Sequence, residues 1–390
     1  MNFIIIIITL IACYPAILTE IYLPSLVAMS QDLNANIHIA QSSLSVYLIG
    51  LACSQIAYGI LSEHFGRKKT LLTGLVIATI GCLVCLFSPN VYVLIIGRLI
   101  SGLGAGALST LWRTIIRDSY APEDMPNALT HIQIALTCIM PAAPAIGGYI
   151  HYYSNWRMNF AFLFIYSIIL LILISTSLAE SHDKQPQKTA TSIAIREILS
   201  MPQFIYASLL SFIAYGCLML LTTFAPALLI YHLQMNTIEF GWTMLSTSLL
   251  SMLLIMIFNR TIGKKIEKKS ILLLSPTLLF FAGILLCLAL EQYAWAVLYI
   301  IVVTIIALFA ILLIFPIATT YAFERCGHVA GIAGSLYATI QLLGGSTLSG
   351  LIAYLPDNST RVIGFTLIGC ALVSLVLCKQ LFSTGEQSPH

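Results

Sequence analysis

Apolar runs of about 20 residues recur along the whole chain, broken by short polar or Gly/Pro-containing stretches, and this leaves few folds open. A run of that length crosses a hydrocarbon core as an α-helix, which satisfies its own backbone hydrogen bonds where no water can. Cutting at the breaks gives twelve spans, at roughly 3–29, 41–62, 70–88, 91–116, 126–150, 158–179, 203–231, 240–259, 270–289, 294–322, 329–354 and 362–382. Charged residues make up 8% of the chain, against about 25% in a soluble domain. The expected fold class is therefore an all-α polytopic membrane protein. The amino terminus has no basic region before its apolar run, and the run continues through Glu20, so it reads as a first transmembrane helix rather than a cleaved signal.

The longest polar interval, 180–202, falls near the middle of the chain. It separates residues 1–179, expected as an N-terminal six-helix bundle, from 203–390, a C-terminal six-helix bundle with a short tail; 180–202 reads as a cytoplasmic linker. Fourteen Lys and Arg residues, Arg67, Lys68 and Lys69 among them, follow even-numbered spans or lie at the C-terminal end, whereas only Arg157 and Arg361 follow odd-numbered spans. Cytoplasmic loops carry the positive excess, so both termini are expected in the cytoplasm. A net charge of +3, spread over the chain, excludes a nucleic-acid partner and leaves the lipid bilayer as the expected surroundings.

Of the fifteen acidic residues, Glu20 alone lies deep inside an apolar span. A carboxyl group in hydrocarbon must be protonated, paired or turned to a watery cavity, which makes Glu20 a candidate proton carrier; a structural acid hydrogen-bonded between helices is the alternative. Two basic residues also lie within a span, Arg98 and Arg113 of the fourth. Counting from the external ends, Arg98 is roughly 10 Å deep and Glu20 roughly 13 Å deep. A pair between them, direct or through water, would hold the carboxylate ionised. Arg113 is nearer the cytoplasmic end, where snorkelling to the interface and a place in a cavity both remain open. The ten cysteines lie almost entirely inside the spans and read as small buried hydrophobes. Cys82-x-x-Cys85 has metal or redox spacing but no His or acid beside it, and is assigned to packing. No metal site is expected.

The loop after the second span reads Gly59-Ile-Leu-Ser-Glu63-His-Phe-Gly66-Arg67-Lys68-Lys69. It resembles the G-x-L-x-D-x-x-G-R-K signature of the major facilitator superfamily, with Glu63 in place of the usual Asp. Arg260-Thr-Ile-Gly263-Lys264-Lys265 looks like a degraded copy in the second half. Arg98-Leu-Ile-Ser101-Gly102-Leu-Gly104 is similar to the fourth-helix motif R-x-x-Q-G-x-G, whose arginine takes part in proton coupling in that family. Pro141-Ala-Ala-Pro144-Ala-Ile-Gly147-Gly148 resembles the fifth-helix motif associated with antiporters; its prolines bend the helix and its small residues allow close packing. Glu20-Ile-Tyr22-Leu23-Pro24 looks like the D-M-Y-L-P signature of the Bcr/CflA drug-resistance subfamily, with Glu for Asp. Arg113-Thr-Ile-Ile-Arg117-Asp118 is similar to that subfamily's R-A-x-x-R-D.

This resemblance implies twelve helices in two pseudo-symmetric six-helix bundles and export of lipophilic or cationic small molecules in exchange for protons. It also implies a multi-pass protein of the bacterial inner membrane, expected to act as a monomer, with the proton gradient as energy source and no cofactor. Glu20 and Arg98 are the coupling pair it suggests, and the loop Gly59–Lys69 the latch of the bundles. Tyr22, Tyr47, Tyr58, Arg113, Tyr215, Phe224 and Gln341 are the candidates for the wall of a substrate cavity, where aromatic rings would hold a cation. A dedicated exporter of one metabolite, such as a siderophore, peptide or sugar, fits the same residues, and an anionic substrate would turn to Arg98 and Arg113. Enzymatic readings lack support: the chain has no H-E-x-x-H, no G-x-S-x-G and no phosphate loop of the G-x-x-x-x-G-K-[ST] type.

Overall fold

The computed structural model describes residues 3–121, 123–178, 180, 191–289, 295–324, 326, 330–351 and 359–386. Asp183, Lys184, Lys188, Glu291, Arg325 and Asp357, together with residues 179, 294, 329 and 352–354 of the expected spans, lie outside this set. Helices run in order as α1 (Phe3–Glu20), a 3-10 turn (Leu23–Ser25), α2 (Leu26–Asp32), α3 (Ile37–Phe65), α4 (Arg67–Leu86), α5 (Val91–Ser119), α6 (Met125–Tyr153) and α7 (Arg157–Ser177). They continue as α8 (Thr191–Leu199), α9 (Pro202–Pro226), a π-helical turn (Ala227–His232), α10 (Thr237–Thr261), α11 (Lys268–Cys287), α12 (Ala296–Phe323), α13 (Ala330–Leu351) and α14 (Thr360–Glu386). Each of the twelve expected spans has its helix. Among the described residues eleven are long and apolar enough to cross a membrane, α1 and α2 counting as one broken span, Phe3–Asp32. The twelfth, α13, is rich in Gly, Ser and Thr, a composition that trades hydropathy for close packing.

Local chemistry explains where several helices begin. The Asn36 and Asn90 side chains cap α3 and α5 by accepting from the backbone N–H of His38 and Val93, each at 3.0 Å. Pro126 and Pro202 occupy the first turns of α6 and α9, where a missing N–H costs nothing. Gly66 joins α3 to α4 at φ +93°, a backbone setting that side chains with a Cβ rarely adopt. The interval 180–202 is more than a linker: residues 191–199 form the amphipathic α8, and Ile198 is fully buried.

Contacts divide the chain into two compact units, Met1–Lys188 with Asn236–Trp242, and Thr189–Met235 with Thr243–His390. In the first unit α5 is the central element, packed on α3 along one face and on α4 along another. Small residues make both contacts possible. A Cβ added at Gly102 or Gly106 would run into Tyr47 or Ser54 of α3, and one at Gly104 into the Ala78 backbone of α4. Gly104→Leu should therefore lower the unfolding temperature in detergent by the equivalent of about 3 kcal/mol, the upper range for overpacking, since backbone cannot move aside. Gly369→Ala in α14, where an added Cβ meets nothing within 4 Å, is the control expected to leave it unchanged. Equal unfolding temperatures for the two variants would show that the α4–α5 seam can open. The second unit has its own core, in which Leu210 and Cys217 of α9, Leu272 and Leu279 of α11, Ala307 and Ile311 of α12 and Leu367 of α14 are buried.

Candidate functional site

Glu20 is the last residue of α1, at a break in the middle of an apolar span. Pro24 cannot donate a backbone hydrogen bond, so the helix cannot continue through Ile21–Ser25 unaltered, and the chain resumes as α2 after one 3-10 turn. Glu20 is 4% exposed. Among the described residues it makes no hydrogen bond and no ion pair. An isolated carboxyl group held inside a helix bundle at such a break is able to carry a proton without disturbing a structural partner.

Arg98 of α5 is fully buried in the same region. The expected direct pair with Glu20 is not formed. Its Nη1 donates instead to the Leu18 carbonyl at 2.9 Å, and its guanidinium lies between the rings of Tyr22 and Tyr47, 4.3 Å and 4.2 Å from their centroids. The reason is the helix break. The last carbonyls of a helix lose their in-helix partners and carry the negative end of its dipole, so α1 offers Arg98 a neutral acceptor where an intact helix would offer none. Cation–π contact in a desolvated site adds about 2 kcal/mol. The Nε and Nη2 of Arg98 have no hydrogen-bond partner among the described residues.

Tyr22 and Tyr47, read from the sequence as cavity wall, are thus wholly buried and serve as the jaws of the Arg98 clamp. Tyr47 donates to the Pro15 carbonyl at 3.0 Å, and the hydroxyls of Tyr22 and Ser43 share a hydrogen bond of 3.3 Å. Tyr58 is buried as well. In the second unit Phe224 belongs to the core, Tyr215 lies where a Cβ on Gly345 would touch its ring, and Gln341 is half-buried. Arg113 is exposed, with its guanidinium carbon 4.3 Å from the centroid of the Trp112 indole.

The α6 motif lies beside the α1 break. Pro141, Pro144, Gly147 and Gly148 are all buried, and a Cβ at Gly147 would land on the carbonyl oxygen of Ile21, the residue after Glu20. At the junction of α3 and α4, Arg67 is held by Asp118 at 3.3 Å and by the Ser62 hydroxyl at 2.5 Å. Lys68 donates its backbone N–H to Glu180 at 3.1 Å and its ammonium to the Ser175 carbonyl at 2.8 Å. The loop Gly59–Lys69 therefore ties the starts and ends of α4, α5 and α7 together. Glu63, the expected acidic member of this loop, is exposed and pairs with nothing among the described residues; Asp118 and Ser62 hold the arginine because they sit behind it, whereas Glu63 faces outward.

Sequence reasoning missed three groupings. Gln55 donates to the Ser109 hydroxyl at 2.8 Å, a pair 54 residues apart with no motif spacing. Asp32 accepts from Trp156 Nε1 at 2.9 Å and from Arg157, which also reaches the Ser88 carbonyl at 3.2 Å, so the end of α2, the turn after α4 and the start of α7 are tied together. In the second unit Tyr337 shares hydrogen bonds with Ser211 and with Thr319. For Gln55–Ser109 and Tyr337 the available signal was a polar residue in an apolar helix; for Asp32 it was the Trp156-Arg157-x-x-Phe160 pattern, similar to the subfamily's, which names two of the three partners.

The Major Facilitator Superfamily profile matches residues 6–349. Multidrug resistance protein D of Escherichia coli is 26% identical over 363 residues, covering 90% of this chain and 89% of that protein. Multidrug resistance protein MdtL of Citrobacter koseri is 28% identical over 386 residues, covering 94% of this chain and 93% of that one. Among solved structures, a D-xylose–proton symporter matches with a TM-score of 0.74 at 17% identity over 95% of this chain and 96% of its own. A peptide transporter POT in complex with sulfate matches with a TM-score of 0.75 at 14% identity over 99% and 96%. At these identities the structural matches speak for the fold alone.

Proposed function

We propose that this chain, which belongs to the major facilitator superfamily, exports small lipophilic or cationic molecules in exchange for protons. The observation that carries this reading is Glu20, the one buried acid among the described residues, without a partner among them, at a helix break two residues from Tyr22, whose ring holds a buried arginine with donors unpaired among those residues. A site of that kind favours one of two occupants at a time, a proton or a cationic group, and such competition is the basis of antiport. Two relatives bearing multidrug resistance names at near full-length coverage support the substrate class. The bundles 1–179 and 203–390, joined through 180–202, would alternate access between the two faces of a bacterial inner membrane with both termini in the cytoplasm. The protein would work as a monomer on the proton gradient, without a cofactor.

Protons in this scheme load Glu20 from outside when substrate has left. Arg98 stands ready as the charge that receives the carboxylate once the α1 break rearranges, because its Nε and Nη2 are unoccupied. The test is a preset pH gradient in proteoliposomes holding the purified chain. Lipophilic cations added to the medium should dissipate the gradient, and neutral analogues or anions should not. A panel in which no cation moves protons, while a sugar or peptide does, would replace this reading with a dedicated metabolite transporter.

A further inference from the structure

We propose that the cytoplasmic end of the seam between α3 and α5 is a separate subsite for a negatively charged group of the substrate, a carboxylate above all. This rests on the transport reading and adds to it a zwitterionic class of compound, a cation that also bears a carboxylate. The two helices run parallel and in register. Gly102 faces Tyr47 and Leu51, Gly106 faces Ser54 and Gln55, and Gln55 bonds Ser109. The same register brings Gly59 to the level of Arg113. There the seam opens. An added Cβ at Gly50, Gly102 or Gly106 would strike atoms of the facing helix, whereas at Gly59 it meets nothing within 4 Å.

The groups around this opening are those that bind oxyanions. Arg113 has one long donation, 3.5 Å to the Ser109 carbonyl, and no carboxylate partner among the described residues, unlike Arg67 with Asp118 and Arg157 with Asp32. Its delocalised, planar guanidinium lies 4.3 Å from the centroid of the Trp112 indole. One turn deeper, Gln55 is 4% exposed, and Oε1 of its amide has no partner. Asn and Gln amides are assigned by their bonds, so that free position can equally be a donor if the amide is reversed. A guanidinium fork with unused N–H groups near the end of a membrane-spanning helix is met by a carboxylate with two parallel bonds. The site is distinct from the coupling pair: Arg113 is fifteen residues from Arg98 along α5, roughly 22 Å.

The test uses the purified full chain in a neutral, phosphate-free detergent and two probes, a cationic xanthylium dye bearing a free carboxylate and its ethyl ester. The native protein should bind the acid about tenfold more tightly than the ester, the scale of one charge-assisted bidentate pair. Arg113→Gln should erase that preference while leaving ester affinity as it was, and Gly59→Val, which fills the opening with Arg113 intact, should do the same. Equal binding of acid and ester by the native protein, or equal weakening of both by Arg113→Gln, overturns the subsite. So does displacement of the acid dye alone by added phosphatidylglycerol at low mole fraction, which would give the arginine to a lipid headgroup. If instead the acid preference and its loss in Arg113→Gln are seen while neither dye is transported in proteoliposomes, the subsite stands and the exporter reading fails.

Discussion

Glu20→Gln is expected to abolish substrate-dependent proton movement in proteoliposomes, by at least a hundredfold, while leaving substrate–substrate counterflow largely intact. The amide has the shape of the acid but cannot take or release a proton. Glu20 holds no ion pair or hydrogen bond among the described residues, so the substitution orphans nothing and the protein should unfold at the native temperature. That separation gives the experiment its force. A loss of both activities together with a lower unfolding temperature would mean that Glu20 is a structural acid. Unimpaired proton exchange would remove it from the coupling scheme and move attention to Arg98 and Arg113. Counterflow by the variant should also become insensitive to pH, since the titrating group is gone, whereas native exchange should keep its pH dependence.

Gly147→Ala carries the second largest expected effect. The added methyl group would occupy the position of the Ile21 carbonyl oxygen, so either α6 or the α1 break has to move. α6 is stiffened by packing on the 3-10 turn as well as on α1, and neither contact side is a flexible side-chain tip. Overpacking against backbone costs about 1–3 kcal/mol. A displacement of this size falls on the residue next to Glu20, so coupled exchange should drop at least tenfold, a larger loss than counterflow suffers. Gly147→Val should fail to accumulate as folded protein. The expected order of coupling is Gly, then Ala, then Val. Wild-type coupling in Gly147→Ala, measured with the same pH gradient, would show that the α6 motif bends the helix and does nothing more for the α1 break.

This contact gives physical content to a motif that the sequence presents only as two prolines and small residues. Pro141 and Pro144 are recognisable as a bend and Gly147 as a place of close approach, but what approaches is a carbonyl more than a hundred residues away. Glu63 illustrates the reverse. It is the acidic member of the loop signature, yet it is exposed, and Arg67 is held by Asp118 and Ser62. Tyr22 and Tyr47 show a third kind of result. Their aromatic character was legible as a means of holding a cation, and they do hold one, but it is the protein's own Arg98.

By itself, the sequence determined the membrane-spanning helices, their approximate ends and the isolation of Glu20 among the acidic residues. Those properties are local or additive: a bilayer filters each segment by hydropathy and length, and a helix has a fixed rise per residue. Only the tertiary structure decided that Arg98 faces the Leu18 carbonyl instead of the Glu20 carboxylate, and that a Cβ added at Gly106 strikes α3 whereas one at Gly59 meets nothing within 4 Å. Both depend on helix rotation and on ångström-scale separation between segments far apart in the chain. Hydropathy does not constrain these quantities. The meeting of backbones at glycines, and the carbonyls left free where a helix breaks, do.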